Sequence, residues 1–425
     1  MSDSIKAVIP KELQDFNVAI ENYKGDAFNI TASAVKVTIF ETIHQPYLNG
    51  SIVISDGNGM FDILPIIGQE RIRIYFKYKD KEIDRVFRVT HIEDAKQLNE
   101  NSGAYTLHFV DEKIYYNAVQ FFSRSYKGKS TDIISAIHKD FLKEPVEVLS
   151  DAGSSHNMVY PYVKPYQAIN MLLLNAPAAD GTPMFMYDTL NEPGVKIQSL
   201  ADMWAFSDYI ELRNLNQLNT EVDGQVTRMF PSQNRTVDEM IIKESFNTLD
   251  NLAEGQFAAA VTTVDISGKY YAEEIFDYKK HTTDLHPDVK DYVADQFKFN
   301  DRTPHESFYS KHILYVKDSK AYESEAVGNL YNIDSIRKAS FRAYYKSMKN
   351  SKILIKSDSH EKLTVGKTVH LFFKRMFPNI DRNDDIDKVN SGLYLCTAIR
   401  HTIQNNKYEL TIEAARHGIN KEANL

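Results

Sequence analysis

The sequence predicts an α+β fold dominated by β-structure, with strand-rich segments at both ends and helices between them. Three observations predict it. Apolar and polar residues alternate through about the first 115 and the last 75 residues. The chain carries 25 Tyr and 23 Phe against a single Trp, Trp204, and such aromatics favour half-buried pleated surfaces. The two ends also repeat an order of short motifs.

In the first segment Val35, Val37 and Ile39 alternate with polar or small neighbours, as do Ile52 and Ile54, then Ile72, Ile74 and Phe76. Phe87, Val89 and His91 follow, then Tyr105, Leu107 and Phe109. A period of two puts one face in a core and the other toward water or a neighbour. Asp56-Gly57-Asn58-Gly59 and Asn101-Ser102-Gly103 supply turns between the runs. Short strands with intervening turns predict a small barrel or sandwich.

The period then changes. Ile133, Ile134, Ile137 and Phe141 predict a helix over 131–142, with Ser130 as N-cap. Pro165 opens a second over 165–176, with Ile169, Leu172, Leu173 and Ala176 on one face, and Pro177 stops it. Met184-Phe185-Met186-Tyr187 and Val195-Lys196-Ile197 read as a hairpin across Asn191-Glu192-Pro193-Gly194. Thr236-Val237-Asp238-Glu239 has the form of a capping box, predicting a helix that turns Val237, Met240 and Ile241 inward. Val289, Tyr292, Val293 and Phe297 predict a helix over 288–300, and the basic stretch 336–348 another. Alternation returns at Ile353 and Ile355, then Val369, Leu371 and Phe373, Leu393 and Leu395, and Tyr408, Leu410 and Ile412. The polar stretch 376–388 reads as a surface loop.

Gly68-Gln69-Glu70-Arg71-Ile72-Arg73-Ile74 resembles Gly366-Lys367-Thr368-Val369-His370-Leu371. Each is followed by a strand centred on Thr, Val89-Thr90-His91-Ile92 and Cys396-Thr397-Ala398-Ile399, and then by an aromatic strand, Tyr105-Thr106-Leu107 and Tyr408-Glu409-Leu410. Two unrelated antiparallel barrels would produce this order, and so would two copies of one barrel.

At 425 residues the chain has room for two to four domains. Hydrophobic residues at 43% and charged residues at 25% exclude global disorder. The net charge of −8, with no concentrated run of Lys and Arg, argues against sequence-specific nucleic-acid binding. Cys396 is the only cysteine, so no internal disulfide or cysteine-based metal cluster can form, which suits folding in a reducing cytosol. The N-terminus lacks a basic region followed by an apolar one, and no run approaches the roughly 18 apolar residues of a membrane span. A soluble chain with no cleaved leader is expected.

Catalytic and ligand motifs fail at defining positions. Gly128-Lys129-Ser130 resembles the end of a phosphate-binding loop, but its first Gly would fall on Ser123. Asp381, Asn383 and Asp385 have the spacing of a calcium loop, but Ile386 stands where Gly is needed and Ser391 where Glu is needed. His281 and His286, with Asp284 and Asp288, lack the spacing of ligands on one strand face or helical turn. His91, His108, His370 and His401 fall in strands and read as structural partners. No nucleophile elbow or His-Glu-x-x-His is present. The expectation is no catalytic, cofactor-binding or metal residue and no cofactor, in a protein that is not an enzyme.

Several stretches resemble the hub proteins of contractile-tailed bacteriophages, a fold shared with type VI secretion spike proteins. They are Ile353-Leu354-Ile355-Lys356, Leu363-Thr364-Val365-Gly366-Lys367-Thr368-Val369, Ser391-Gly392-Leu393-Tyr394-Leu395, Ile399-Arg400-His401-Thr402-Ile403 and Tyr408-Glu409-Leu410. In the first half Pro46-Tyr47-Leu48-Asn49-Gly50-Ser51-Ile52, Ile67-Gly68-Gln69-Glu70, Tyr105-Thr106-Leu107 and Tyr126-Lys127-Gly128-Lys129-Ser130 fit the same scheme. The resemblance implies two small antiparallel β-barrels of related design with helix-containing insertions. The expected domains are a first barrel over 1–115, a connecting α+β domain over 116–205, a second barrel from 206–240 and 350–418, and an inserted helix-rich domain over 241–349. Early strands of the second barrel are expected near Gln225-Val226-Thr227-Arg228-Met229-Phe230.

The resemblance further implies a homotrimer whose six barrels adapt a sixfold tail tube to a threefold spike. Its implied partners are the central spike, the tail tube or tube-initiator protein, the tape measure protein and other baseplate proteins, with DNA only in transit. The implied location is the virion baseplate, assembled in the host cytoplasm. The end at Leu425, soon after the second barrel, favours a separate spike polypeptide. The alternatives are a secretion spike base and a tail-associated cell-wall hydrolase. A passage for DNA should be neutral to acidic, with Lys346, Lys349 and Lys352 turned away from it.

Overall fold

The computed structural model describes residues 13–420 apart from 60–65, 206–209, 215–218, 229–235, 292–297, 302–310, 318–334, 374–386 and scattered runs of one to three residues. The fold is β-dominated, and its centre is one thirteen-stranded sheet that folds into two barrels.

The first barrel contains β1 (Asp15–Glu21), β2 (Ala27–Asn29), β3 (Ala34–Thr42), β4 (Asn49–Asp56), β5 (Arg71–Tyr78), β6 (Lys81–Asn99) and β7 (Ser102–Val110). Their order is β2-β1-β5-β6-β7-β4-β3. The expected alternation is realised: Ile72, Ile74 and Phe76 of β5 are buried, and Arg71 and Arg73 are exposed. The β1–β2 pairing is extended where the Ile30 amide donates to the Val18 carbonyl. Gly50 of β4 allows a close approach, because a Cβ there would lie 2.2 Å from the Thr38 carbonyl oxygen.

The connecting region follows. It comprises α1 (Glu112–Val119), β8 (Phe122–Lys129), α2 (Ser130–Ile137) running into a π-helical turn (His138–Leu142), β9 (Val146–Val148), β10 (Ser155–Val163), α3 (Pro165–Leu173), β11 (Met184–Tyr187), β12 (Val195–Ser199) and α4 (Leu200–Trp204). Ser130 is the first helical residue rather than the cap, and Lys129 precedes it in extended conformation. The predicted hairpin of β11 and β12 forms, with β9 as a third strand. Ile134, Ile137, Ala168, Ile169 and Leu172 pack into a core of their own beneath β8 and β10.

The second barrel is assembled from distant stretches: β13 (Ile210–Asn214), β16 (Thr236–Ser245), β21 (Ser351–Asp358), β22 (Thr368–Phe372), β23 (Gly392–Gln404) and β24 (Lys407–Arg416). It closes as β13-β22-β23-β24-β21-β16, with β16 returning to β13. Between β13 and β16, β14 (Asn219–Val222) and β15 (Gln225–Arg228) form a separate hairpin. The expected early strand near Gln225 is therefore not in the barrel, and β13 and β16 take that place. The capping-box helix is also corrected. Thr236 begins a strand, because ladders to β13 and β21 outweigh a local cap signature.

Between β16 and β21 lie α5 (Thr248–Ala253), β17 (Ala258–Asp265), β18 (Tyr270–Asp277), α6 (Tyr278–His281), β19 (Val289–Asp291), β20 (His312–Lys317) and α7 (Ser335–Ser347). The helix predicted over 336–348 is α7, and its Ala339 and Ala343 pack with Phe257, Val261 and Phe276. The helix predicted over 288–300 is corrected where it is described, since Val289–Asp291 pairs with β25 (Gly418–Asn420). The remainder of that prediction, and most of the loop 376–388, lie outside the described residues.

The barrels have related designs. In chain order, first-barrel strands β1, β3, β4, β5, β6 and β7 correspond to β13, β16, β21, β22, β23 and β24, and both sets have the same spatial order. One pair differs in sense: β1 is antiparallel to β5, whereas β13 is parallel to β22. The cores of the two barrels run together. Tyr408 of β24 meets the edges of Phe76 and Tyr78 of β5, with ring centroids 5.1 and 5.5 Å away.

Candidate functional site

The two barrels meet edge to edge. β23 pairs with β22 only as far as Leu395, then bulges between Cys396 and Ala398. Its liberated edge pairs antiparallel with β3, from Ala398 opposite Thr42 to Gln404 opposite Lys36. β6 is built the same way. It pairs with β5 as far as Arg88, bulges between Val89 and His91, and continues beside β7 alone.

The correspondence extends to single hydrogen bonds. The hydroxyl of the bulged Thr90 donates across to the His108 carbonyl at 3.1 Å, and that of Thr397 donates to the Glu413 carbonyl at 3.2 Å. The Val89 amide donates to the Glu70 carbonyl, and the Cys396 amide donates to the Lys367 carbonyl. The repeat read weakly from the sequence is thus a repeated strand-and-bulge device.

Among the described residues, β6 carries no ladder on its outer edge from His91 to Leu98. Asp238–Ser245 of β16, the counterpart of β3, is likewise paired only with β21. Ile241 and Ile242 are each 38% exposed there. Such edges template pairing with another chain.

Within the chain the joint is locked by Glu41 of β3, whose side chain is fully buried. Its carboxylate accepts from the Leu190 amide at 2.7 Å and the Val365 amide at 3.1 Å, and His401 Nε2 lies 3.5 Å away. Asn191 donates to the Leu363 carbonyl, and Lys367 donates to Glu192. One carboxylate therefore ties the first barrel, the connecting region and the second barrel. Gly366 beside it has φ +80, and a Cβ there would lie 2.7 Å from Tyr187 Oη.

A charged cluster joins the first barrel to the connecting region. Lys113 Nζ lies 2.6 Å from Asp188, 2.9 Å from Glu144 and 3.5 Å from Asp111, and Arg85 lies 3.1 Å from Asp188. Asp111 also accepts from the Leu48 amide at 2.7 Å. Burial opposes ionisation of Asp188, but Lys113 and Arg85 outweigh it and hold the carboxyl below its usual range. Burial likewise opposes the Lys113 charge and is outweighed by its three carboxylates. A lysine held protonated is a poor nucleophile, and Asp188 held ionised is a poor base, while Asp111, which burial pushes upward, is engaged by Lys113 and the Leu48 amide. The cluster reads as a structural clasp.

The other sequence candidates are dispersed. Gly128 sits in β8 opposite His156. His281 Nδ1 lies 2.9 Å from the Asp277 carbonyl, while His286 lies beside Trp204. Asp381, Asn383 and Asp385 are outside the described residues. The Cys396 thiol is fully buried, and burial pushes its ionisation well above the usual range. His370 packs on Phe372, and His401 bonds Tyr408 Oη at 2.7 Å. His91 and His108, by contrast, face each other across β6 and β7 with Glu93 alongside. This is the one set of three possible metal ligands drawn together among the described residues. The pairing was in principle legible, since a hairpin turning near residue 100 brings these two positions opposite each other.

Acid should loosen this assembly. Burial, then the Arg416 charge and His286, push the His417 imidazole from 6.5 down to about 3. Burial lowers His44 and His138 in the same direction. The unfolded chain therefore takes up protons that the folded chain refuses. The contribution of His417 is complete above pH 6.5 and is lost as pH drops toward 3. Thermal unfolding followed from pH 7 to 4.5 should show a steadily falling midpoint, and a flat profile would contradict the assignment.

No protein-family model matches the chain, and no curated protein matches it in sequence. Its fold, however, is that of known tail proteins. The tail protein from Neisseria meningitidis MC58 superposes with a TM-score of 0.52 at 11% identity, covering 95% of this chain and 98% of that one. The 43 kDa tail protein of prophage MuSo2 from Shewanella oneidensis superposes with a TM-score of 0.55 at 10% identity, covering 95% and 99%. Across nearly its whole length, this chain shares the fold of these two tail proteins.

Proposed function

We propose that the chain is a non-enzymatic structural subunit of a contractile-tail baseplate hub, acting as a homotrimer. The observation that carries this reading is the repeated joint. Inside the chain, the edge released beyond the β23 bulge pairs with β3. The equivalent edge of β6 and the equivalent strand β16 carry the same free edges, so β6 of one copy can pair with β16 of the next. Laying Arg88 on Leu395, the last residues that pair β5 and β22, sets His91–Gln97 where Ala398–Gln404 meets β3. Alternating internal and external joints close three chains into a ring of six barrels, the symmetry that a sixfold tube and a threefold spike would require.

The ring would take a central spike on one face and the tail tube or its initiator on the other. The tape measure and other baseplate proteins would lie nearby, and DNA would pass through in transit. Three copies of a chain at −8 suit a passage that does not retain DNA. Lys346 pairs with Glu254, and Lys352 lies 3.4 Å from Glu413, so two of the three basic residues of interest have acidic neighbours in the chain.

Light scattering on the chain with its spike should give three times the 48.8 kDa of one copy plus the mass of the bound spike. A Gln97→Cys, Glu239→Cys double variant, which puts the two thiols opposite each other in the register of Gln404 and Lys36, should cross-link into trimers on oxidation, since the native Cys396 is buried. A monomer in the presence of bound spike would refute the ring. A trimer without cross-links would refute this seam alone. Clearing of a peptidoglycan suspension by the purified chain would refute the structural role.

A further inference from the structure

The outer face of the β6–β7 hairpin carries three donors that the barrel does not need. His91 and Glu93 are two apart on β6 and share a face, and the ladder sets His108 directly opposite His91. The imidazoles stack with centroids 4.4 Å apart and planes within 2°. His108 Nε2 lies 2.7 Å from Glu93 Oε2, and one ligand atom from each residue lies within 4.8 Å of the others.

The bulge also gives the His91 ring a hydrogen-bond partner. Thr90 has one hydroxyl proton, which is donated to the His108 carbonyl, while His91 Nδ1 lies 3.0 Å from the same oxygen. With that proton on the carbonyl, Thr90 Oγ1 is placed to accept from His91 Nδ1–H, the tautomer that keeps the lone pair of His91 on Nε2. A hydrogen bond to the far ring nitrogen is the usual device that orients a ligand histidine. The second barrel provides an internal control. It keeps the bulged threonine as Thr397 but has Ala398, Arg400 and Glu413 where the first barrel has His91, Glu93 and His108. The bulge therefore needs none of the three donors.

We propose that His91, Glu93 and His108 bind one divalent first-row transition ion, such as Zn2+, with a fourth position open to solvent. Two imidazoles and a carboxylate suit such an ion better than Ca2+ or Mg2+. Ligand bonds of about 2.1 Å place donors roughly 3.3 Å apart. The side chains of Glu93 and His108 are 57% and 30% exposed and have room to turn inward to that spacing. The proposal stands on the hairpin alone and does not depend on the ring.

Titration calorimetry of the full chain with Zn2+ tests it. The expected result is one saturable equivalent per chain that Ca2+ does not displace, with affinity at least about tenfold weaker in His91→Ala and in His108→Ala. Unchanged circular dichroism would show that these exposed positions leave the fold intact, and Glu93→Gln offers a variant of nearly the same size should either alanine variant misfold. Absence of saturable binding would overturn the site. So would Zn2+ binding that survives in a His91→Ala, His108→Ala double variant, because the ion would then sit elsewhere among the chain's 13 histidines.

Discussion

Replacing Lys113 by Met should destabilise the protein by about 3–5 kcal/mol, the usual consequence of removing one partner from a buried ion pair. The side chain of Asp188 is 1% exposed and that of Lys113 6%. Without the ammonium, Asp188 keeps its contact with Arg85, while Asp111 and Glu144 lose their contact with Lys113 and keep only the more distant Arg85. Met fills a similar volume, so the effect reports charge rather than a cavity. Arg124→Met is the control, because the Arg124–Asp140 pair is 54% and 49% exposed and should matter by less than about 1 kcal/mol. Denaturant unfolding of the two variants beside the parent measures the contrast. Equal midpoints for Lys113→Met and the parent would show that the cluster is not a clasp.

The second large effect is expected at Glu41. Glu41→Ala strands the Leu190 and Val365 amides in a dry interior. A buried donor left without an acceptor costs about 1–3 kcal/mol, so the pair should cost about 2–6 kcal/mol. Glu41→Gln keeps one acceptor oxygen and should lose less. Since these amides belong to the connecting region and the second barrel, the loss should also be visible locally. Hydrogen exchange at both positions should accelerate in the variant beyond any global change. Protection equal to the parent at both amides would remove Glu41 from the joint.

Much of the fold was legible because its signals are local. Buried and exposed residues alternate along β5 as the sequence predicts, and α3 begins at Pro165. The two mistaken helices share one cause. At Thr236 and at Val289 a cap motif or an apolar spacing suggested helix, but strands formed because distant partners were available, β21 for the first and β25 for the second. Local propensity is a weak preference that ladder bonds and burial override.

The joints were less legible. Glu41 meets Leu190 and Val365, partners 149 and 324 residues away, and nothing near Glu41 distinguishes it among 58 acids. The Lys113 cluster gathers charges from β6, α1 and the far side of the connecting region. The paired threonines Thr90 and Thr397 were visible as a motif, but their role as the bulges that release a strand edge was not.

By itself the sequence determined the β-dominated class, the positions of most strands in the two terminal segments and the presence of a repeat, because periodicity acts between neighbours two to four residues apart. The tertiary structure alone decided which edges meet, which charges are buried and which histidines face each other. Those outcomes depend on pairing register and on desolvation, and both arise only when segments far apart in the chain are brought into contact.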